Sequence, residues 1–297
     1  MAKWAVLGAG IWGSALAQHL TRQGHSVTLW GHRDKIALVD ILQPDVDILI
    51  AVPSHAFQET IQKIAAVRTP KRLLWATKGL SEQGEWLHQV AARVFPEAVL
   101  AVLSGPSFAR EVANNQPTAV MLACQDLTVA KEYQQLWASD TFRPYITDDM
   151  LGVQLGGVVK NVLAIAVGMS DGLQYGANAR SALITRGLAE MMRLGEAVGA
   201  RAETLIGLSG LGDLILTATD NESRNRRFGV FLGQGLTVEA ACLQVKQVVE
   251  GIYAARLLTH WAHRYQIDMP ITEQVHAILR GDTSPKQAGI ELLMRPL

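Results

Sequence analysis

The sequence predicts an α/β N-terminal half built on a doubly wound, mostly parallel sheet, followed by an all-helical C-terminal half. Short apolar strand patterns alternate with amphipathic helix patterns as far as about residue 147, which is typical of parallel sheets. Beyond residue 150 the strand patterns stop, and long helical periodicities occupy the rest of the chain. We therefore expect a sheet domain at residues 1–148 and a helical domain at residues 149–297.

The composition fits a compact two-domain protein without a polyionic partner. Of the 297 residues, 49% are hydrophobic and 18% are charged, with 27 basic and 27 acidic side chains. Because the charges balance, no global field attracts the chain to nucleic acid or to an anionic membrane. The two cysteines are far apart, as in proteins of reducing compartments, and residues 151–168 are too polar and too short for a membrane span. With no signal-peptide pattern at the N-terminus, we expect a cytoplasmic protein.

The first strand, helix and strand predict a dinucleotide-binding turn. A short apolar strand at residues 4–7 leads into GAGIWG, in which Gly8, Gly10 and Gly13 are the glycines, and a helix and a second strand at residues 27–30 follow. In this context the glycines permit a tight turn and the close approach of a pyrophosphate to the helix N-terminus. The pattern indicates a Rossmann-like domain; a turn that serves structure alone is the alternative.

The residues at the end of the second strand indicate which dinucleotide the chain accepts. An NAD-selective site usually has a carboxylate there for the ribose hydroxyls, but this strand runs into Gly31, His32 and Arg33, and Asp34 comes slightly late. His32 and Arg33 can face a 2′-phosphate, so we expect NADPH to be accepted. Solvated loop residues are the alternative, and the preference between NADPH and NADH stays open.

The sheet is expected to be shortened at this edge. A short helix at residues 34–42 and an apolar strand at residues 47–52 follow the second strand. Too few residues separate the two strands for the usual third strand and its crossover helix.

The remaining sheet elements bring polar residues to the carboxyl ends of strands, where ligands bind in such sheets. Lys78 directly follows one strand, and Ser104, Gly105 and Ser107 follow the next. A cation and a small-residue turn at this edge can hold an anion, whereas a surface lysine and helix capping by Ser107 are the alternatives. Helices are expected at residues 57–66, 82–94 and 127–138, strands at 72–77, 99–103 and 118–124, and an extended piece to about residue 147.

One lysine stands in the apolar helical stretch of residues 151–168. Lys160 is the only charge there, and Gly156 and Gly157 share its face at helical spacing, which leaves room for a compact ligand. Because burial disfavours the charged form of a lysine and a nearby anion favours it, Lys160 can exchange a proton near neutral pH. A lysine whose head extends into solvent is the alternative. Asp213, after a glycine-rich turn, is either a helix N-cap or an acceptor that orients Lys160 or a substrate hydroxyl.

A cluster of arginines later in the helical half suits a phosphate. Arg224, Arg226 and Arg227 occur within four positions, and arginine forks bind phosphate oxygens bidentately. A solvated face or an ion-pair network is the alternative. His260 and His263 have no further ligand cluster beside them, so we expect no metal site.

Ten short motifs occur in order along nearly the whole chain. They are GAGIWG at residue 8, VPSH at 52, ATKGL at 76, SGPSFA at 104, LGGVVKN at 155, GANAR at 176, LITRGLAEM at 183, GLGDL at 210, TDNESRNRRFG at 219 and VVEG at 248. In this order and spacing they resemble the bacterial glycerol-3-phosphate dehydrogenase family.

The resemblance implies an enzyme, commonly dimeric, that interconverts sn-glycerol 3-phosphate and dihydroxyacetone phosphate with NAD(H) or NADP(H), chiefly for phospholipid synthesis. It implies that Lys160 accepts the alcohol proton and returns it to the ketone, with Asp213 nearby. The substrate positions that it implies are Lys78, Gly105, Ser107, Ser223, Arg224 and Asn225. The cofactor positions that it implies, besides the glycine turn, are Ile11, Trp12, His32, Arg33, Lys78, Ala109, Arg224, Val248 and Glu250.

Two features depart from the family's pattern. The family carries many more residues between the positions of Arg33 and Asp47, and it more often has Ala or Thr where this chain has Val158. The first difference concerns the outer sheet edge and the adenine pocket, so affinity and cofactor preference need not transfer. The alternative functions are another β-hydroxyacid or sugar-phosphate dehydrogenase of the same two-domain plan, and a non-catalytic dinucleotide-binding redox sensor.

Overall fold

The computed structural model describes residues 1–295. The chain divides into two compact units, Met1–Gln154 and Leu155–Leu297. The first unit holds a seven-stranded sheet with helices, and the second is helical. The fold class predicted from the strand and helix patterns is confirmed, and the domain boundary at residue 148 stays a prediction.

The sheet of the first unit is parallel at every strand pair but one. Its strands are β1 (Lys3–Leu7), β2 (Ser26–Trp30), β3 (Val46–Ile50), β4 (Arg72–Trp75), β5 (Val99–Ser104), β6 (Thr118–Cys124) and β7 (Phe142–Thr147). They lie in the order β2-β1-β3-β4-β5-β6-β7, and only β5 and β6 pair in antiparallel fashion. The helices of this unit are α1 (Ile11–Arg22), α2 (Leu38–Ile41), α3 (Ser54–Ala65), α4 (Leu87–Val94), α5 (Ala109–Ala113) and α6 (Leu127–Trp137).

The strand side chains alternate between two apolar cores, one on each face of the sheet. Along β1, Trp4 and Val6 belong to one core, whereas Ala5 and Leu7 belong to the other. All four side chains are buried. Because helices cover both faces, the strands read as continuous apolar runs in the sequence.

The predicted shortening of the sheet edge is confirmed. Strand β2 is the last strand on its side, and β1 lies between β2 and β3. The predicted helix at residues 34–42 is reduced to the four residues of α2 because Asp34 forms a turn instead. The N–H of Gly31 donates to Oδ2 of Asp34 at 2.7 Å, and the N–H of Asp34 donates to the carbonyl of Gly31 at 2.9 Å.

The helix predicted at residues 82–94 begins only at Leu87, so its first five residues were predicted wrongly. Ser81 closes a turn there: its N–H donates to the carbonyl of Glu85, and its hydroxyl accepts the N–H of Glu85. Gly84 lies within this turn at φ +79°, a conformation that ends helical propagation. Serine side chains that bond nearby backbone groups compete with helix formation in this way.

The second unit consists of helices packed around the long central helix α7 (Met150–Gly172), which begins in the first unit. The helices after α7 are α8 (Gly176–Val198), α9 (Ala202–Leu205), α10 (Asp213–Thr219), α11 (Arg224–Gly233), α12 (Val238–Val245), α13 (Glu250–Tyr265), α14 (Pro270–Arg280) and α15 (Pro285–Met294), and Leu208–Gly212 forms one π-helical turn before α10. By length and composition alone, the 23 residues of α7 are long and apolar enough to cross a membrane, so the prediction that residues 151–168 are too polar and too short was wrong on both points. Its most apolar window is 94% buried inside the protein, as in the core helix of a helical bundle.

Candidate active site

The glycine turn leaves the N-terminus of α1 open to a ligand. Gly8 has φ +125°, and its N–H donates to the carbonyl of Trp30 at the end of β2 at 2.8 Å. A Cβ at Gly13 would lie 1.9 Å from the carbonyl oxygen of Gly8, so this close approach requires glycine. A Cβ at Gly10, the N-cap of α1, would meet nothing within 4 Å. The turn thus has the open backbone that a pyrophosphate needs at a helix N-terminus.

The side chains that flank this turn differ in exposure. Ile11 is exposed at the start of α1, while the indole N–H of Trp12 donates to the carbonyl of Ala76 just beyond β4, at 3.3 Å. His32 and Arg33 are exposed on the loop after β2. Exposure leaves the side chains of His32 and Arg33 accessible to a nucleotide phosphate.

Three predicted substrate residues, Lys78, Gly105 and Ser107, meet at one backbone carbonyl in the first unit. The ammonium of Lys78, after β4, donates to the carbonyl of Gly105, after β5, at 3.0 Å. The hydroxyl of Ser107 donates to the same carbonyl, also at 3.0 Å. The alternative in which Ser107 caps a helix is wrong, because α5 begins at Ala109 after Phe108 and its first turn has no side-chain cap.

Lys160 is buried and paired within the second unit. Its Nζ lies 2.6 Å from Oδ1 of Asp213 and 3.1 Å from the hydroxyl oxygen of Thr217. The exposed fractions of Lys160, Asp213 and Thr217 are 7%, 1% and 6%. The lysine head therefore does not extend into solvent, and Asp213 is an acceptor for it, not a helix N-cap.

The local fold explains why Lys160 and Asp213, which are distant in the sequence, lie in contact. Gly156 on α7 lies so close to the π-helical turn that a Cβ there would be 2.1 Å from the carbonyl oxygen of Ser209. The turn ends at Gly212, and α10 begins at Asp213. Thr217 lies one helical turn after Asp213 and donates to its Oδ1 at 3.2 Å. Sequence reasoning missed Thr217, although its i, i+4 spacing from Asp213 was a usable signal.

The start of α11 is tied to two other helices. Ser223 caps it by accepting the N–H of Arg226. The Asn225 side chain donates to Oδ1 of Asn161 on α7 at 2.9 Å and accepts the N–H of Gly251 on α13 at 3.0 Å. Asn225 therefore fixes the position of this turn, beside the residue that follows Lys160.

The three arginines predicted as a phosphate cluster have different environments. Arg224, the first residue of α11, is exposed. Arg226 is buried, and its guanidinium pairs with Asp171 at 2.6 Å and donates to Asn221. The ion-pair alternative thus applies to Arg226, and the predicted cluster is wrong in including it. Its neighbour Arg227 is half-buried.

The remaining predicted cofactor residues lie at helix starts or in loops. Ala109 is the first residue of α5, and Glu250 is the first residue of α13. Val248 is exposed in the loop before α13. Glu250 immediately precedes Gly251, whose N–H bonds to Asn225, so it belongs to the same part of the second unit as the start of α11.

The histidines and cysteines form no cluster within the described part of the chain. His263 lies 3.9 Å from Glu273, measured from Nε2 to Oε1. Across residues 1–295 there is no group of three or more His, Cys, Asp or Glu side chains that could hold a metal ion. Cys124 is buried and Cys242 is half-buried, and both are free thiols.

Sequence comparison assigns both units to one family. The profile of the NAD-dependent glycerol-3-phosphate dehydrogenase C-terminus matches residues 149–289, and that of the N-terminus matches residues 3–46 and 38–130. The chain belongs to this family. The N-terminal match consists of two segments that overlap at residues 38–46, within the connection where the sequence departs from the family's pattern.

Relatives and solved structures agree with the family assignment. A glycerol-3-phosphate dehydrogenase (NAD(P)+) of Thioalkalivibrio sulfidiphilus is 51% identical, with 98% of this chain and 96% of the relative covered. One of Halorhodospira halophila is 49% identical over the same shares. A crystal structure of glycerol-3-phosphate dehydrogenase from Coxiella burnetii is 44% identical, covers 99% of both chains and superposes with a TM-score of 0.94. A D-mandelate dehydrogenase, at 12% identity and a TM-score of 0.59, shares the fold alone.

Proposed function

We propose that this protein interconverts sn-glycerol 3-phosphate and dihydroxyacetone phosphate with NAD(H) or NADP(H), and thereby supplies glycerol 3-phosphate for phospholipid synthesis. The observation that carries the proposal is the buried pair of Lys160 and Asp213, 2.6 Å apart, in a chain of this family. Reduction of a ketone needs a proton donor at the oxygen, and a buried amine held by a carboxylate meets that need.

The N-terminus of α1 is suited to the pyrophosphate of the cofactor, because its backbone N–H groups and its dipole favour an anion. When bound, the reduced nicotinamide supplies the hydride for the C2 carbon of dihydroxyacetone phosphate. The residues proposed to hold the cofactor are Gly8, Gly10, Ile11, Trp12, Gly13, His32, Arg33, Lys78, Ala109, Arg224, Val248 and Glu250.

Lys160 is the proposed proton donor and acceptor. Its ammonium donates a proton to the C2 oxygen as the ketone becomes an alcohol, and in the reverse direction its amine accepts the hydroxyl proton. Asp213 and Thr217 hold Nζ in a fixed place, which reduces the reorganisation needed at the moment of transfer. Lys78, with Gly105 and Ser107, holds the hydroxyl end of the substrate.

The start of α11 binds the substrate phosphate. Arg224 is exposed and can form a bidentate contact, while Ser223 and Asn225 flank it at the N-terminal end of the helix, where the dipole favours an anion. The phosphate thus supplies binding energy remote from the reacting carbon, which orients the ketone for reaction. We further propose that the enzyme acts in the cytoplasm as a homodimer.

Turnover with dihydroxyacetone phosphate tests the function directly. We expect oxidation of NADPH and NADH, followed by their absorbance, with dihydroxyacetone phosphate as substrate. A matched reaction with dihydroxyacetone, which lacks the phosphate, should be much slower. Turnover of 2-keto acids or of other sugar phosphates in preference to dihydroxyacetone phosphate would contradict the proposal and favour another dehydrogenase of this fold. Cofactor binding without turnover of any of these substrates would favour a sensor.

A further inference from the structure

A buried carboxylate outside the proposed site connects α7 to the start of α11. Asp171 lies near the C-terminal end of α7, and its side chain is 9% exposed. Its Oδ2 pairs with Nη2 of Arg226 at 2.6 Å, and its Oδ1 accepts from Nε of Arg180 on α8 at 2.9 Å. Arg226 lies in the first turn of α11, two residues after Arg224. One carboxylate therefore links the helix of Lys160 to the turn that carries Arg224.

Helices α7 and α11 pack with their backbones in contact. Added Cβ atoms at four glycines would lie 2.1 to 2.3 Å from a carbonyl oxygen of the other helix, at Gly168 and Gly172 on α7 and at Gly229 and Gly233 on α11. This packing fixes the distance between the helix axes along most of α11. These backbone contacts include the carbonyl of Arg226, which faces Gly168, and none of them involves Ser223, Arg224 or Asn225. Side chains hold that start of α11 to α7, through Asn225 with Asn161 and through Arg226 with Asp171.

The charge of Arg226 makes Asp171 necessary at this place. A cation in the first turn of a helix is disfavoured by the helix dipole, and a guanidinium that is mostly buried needs a counter-ion. Asp171 supplies the opposite charge. The second terminal nitrogen of Arg226 donates to Asn221, in the turn just before Ser223. Arg226 thus attaches both the turn and the helix start to α7.

We propose that Asp171 is a positioning residue that acts through Arg226 to hold Ser223, Arg224 and Asn225 in a fixed place relative to Lys160. The inference rests on the proposed function, because it takes the start of α11 as the phosphate site. A ketone reaches the proton donor only when its phosphate is correctly seated, and small displacements of a binding group slow such reactions strongly. Without Asp171, the guanidinium of Arg226 turns towards solvent, and the turn at Asn221 and residues 223–225 lose this attachment to α7.

The first test compares Asp171→Asn with a matched control, Arg180→Gln, which removes the other arginine on the same carboxylate but leaves α11 untouched. We expect Asp171→Asn to raise the KM for dihydroxyacetone phosphate by about tenfold or more, with kcat/KM for dihydroxyacetone unchanged. Arg180→Gln should leave the KM within about twofold. Equal losses on both substrates would assign Asp171 a merely structural role and overturn the proposal.

A double-mutant cycle tests whether Asp171 acts through Arg226. Arg226→Gln should raise the KM as Asp171→Asn does, and the double variant should resemble either single one, because contacting residues are not additive. Additive effects would overturn the proposal. If Asp171→Asn does not fold, Asp171→Glu replaces it, since this variant keeps the charge and moves it by one methylene. An unchanged KM in both Asp171→Glu and Arg226→Gln would then overturn the proposal.

Phosphate binding separates this inference from the proposed function. Calorimetric titration of the wild type and Asp171→Asn with inorganic phosphate should show weaker binding in the variant, whatever the natural substrate is. If the wild type does not turn over dihydroxyacetone phosphate, the proposed function fails, and the phosphate titration still decides the role of Asp171. Equal phosphate affinity in the two proteins would refute that role.

Discussion

Replacement of Lys160 by methionine removes an ammonium that is 7% exposed and leaves the carboxylate of Asp213, 1% exposed, without its cation. Removal of one partner of a buried ion pair costs about 3 to 5 kcal/mol, because the remaining charge stays buried. Methionine occupies nearly the volume of the lysine stem, so no large cavity adds to this figure. We therefore expect the free energy of unfolding of Lys160→Met, measured by urea denaturation at pH 7, to fall by about 4 kcal/mol.

The same substitution removes the proposed proton donor. General acid catalysis by a positioned group contributes about 10² to 10⁴-fold, so kcat for dihydroxyacetone phosphate should fall by at least about a hundredfold. The affinity for NADPH, followed by quenching of tryptophan fluorescence, should stay nearly unchanged, because the glycine turn belongs to the other unit. Turnover of Lys160→Met at the wild-type rate would refute the assigned role.

A second substitution separates the effect on stability from the effect on chemistry. Asp213→Asn added to Lys160→Met removes the buried negative charge while keeping the shape of the side chain. Most of the lost stability should return in the double variant, since a neutral amide can bond to Thr217 without a counter-ion. Turnover should not return. Recovery of turnover with stability would show that Lys160 maintains the fold and does not donate the proton.

Three further predictions concern the phosphate, the cofactor and pH. Because Arg224 is also a proposed cofactor residue, the assay uses saturating NADPH; under that condition Arg224→Ala should raise the KM for dihydroxyacetone phosphate by about 10 to 100-fold and leave dihydroxyacetone unaffected, and equal effects on both substrates would contradict phosphate contact. Arg33→Ala should lower kcat/KM with NADPH by about tenfold and hardly change it with NADH, and a parallel loss with both cofactors would argue against contact with the 2′-phosphate. Burial raises the pKa of Glu190 from 4.5 to about 7, although the backbone N–H groups of Ile271 and Thr272 lower it. Between pH 4.5 and 7 the folded protein therefore keeps a proton on Glu190 that the unfolded chain has released. The contribution of this group to the free energy of unfolding is complete below pH 4.5 and decreases by about 3 kcal/mol as the pH rises through 7. Urea denaturation from pH 5 to 8 should show this slope in the wild type and a flatter one in Glu190→Gln, and equal slopes would contradict the shift.

The strands could be predicted from the sequence because each is a short apolar run buried on both faces, with Trp4 to Leu7 as the clearest case. The helix start near residue 82 could not, since a hydrogen-bonded turn between Ser81 and Glu85 overrides the amphipathic pattern. Local periodicity contains no information about such a side-chain competitor until its partner is known.

The candidate site was predictable in its residue types and less so in its pairings. Lys160 and Asp213 are 53 positions apart, so no local pattern places them together, and the family resemblance supplied that contact. The spacing of the three arginines predicts one phosphate cluster, yet Arg226 pairs with Asp171, 55 positions away. Which arginine stays accessible depends on the tertiary neighbour, and adjacent positions in the sequence do not reveal it.

The burial of α7 couples catalysis to folding in the second unit. Its polar groups would be costly in an apolar core without partners, and Lys160, Asn161 and Asp171 each have one in a later segment. Those partners lie at residues 213–217, the proposed proton site, and at residues 225–226, in the first turn of α11, where the proposed phosphate site lies. The contacts that offset the cost of burying the polar groups of α7 are therefore also the contacts that assemble the proposed site. When any of these partners is substituted, the activity and the free energy of unfolding therefore have to be measured side by side, because the structure predicts that the two quantities decrease together.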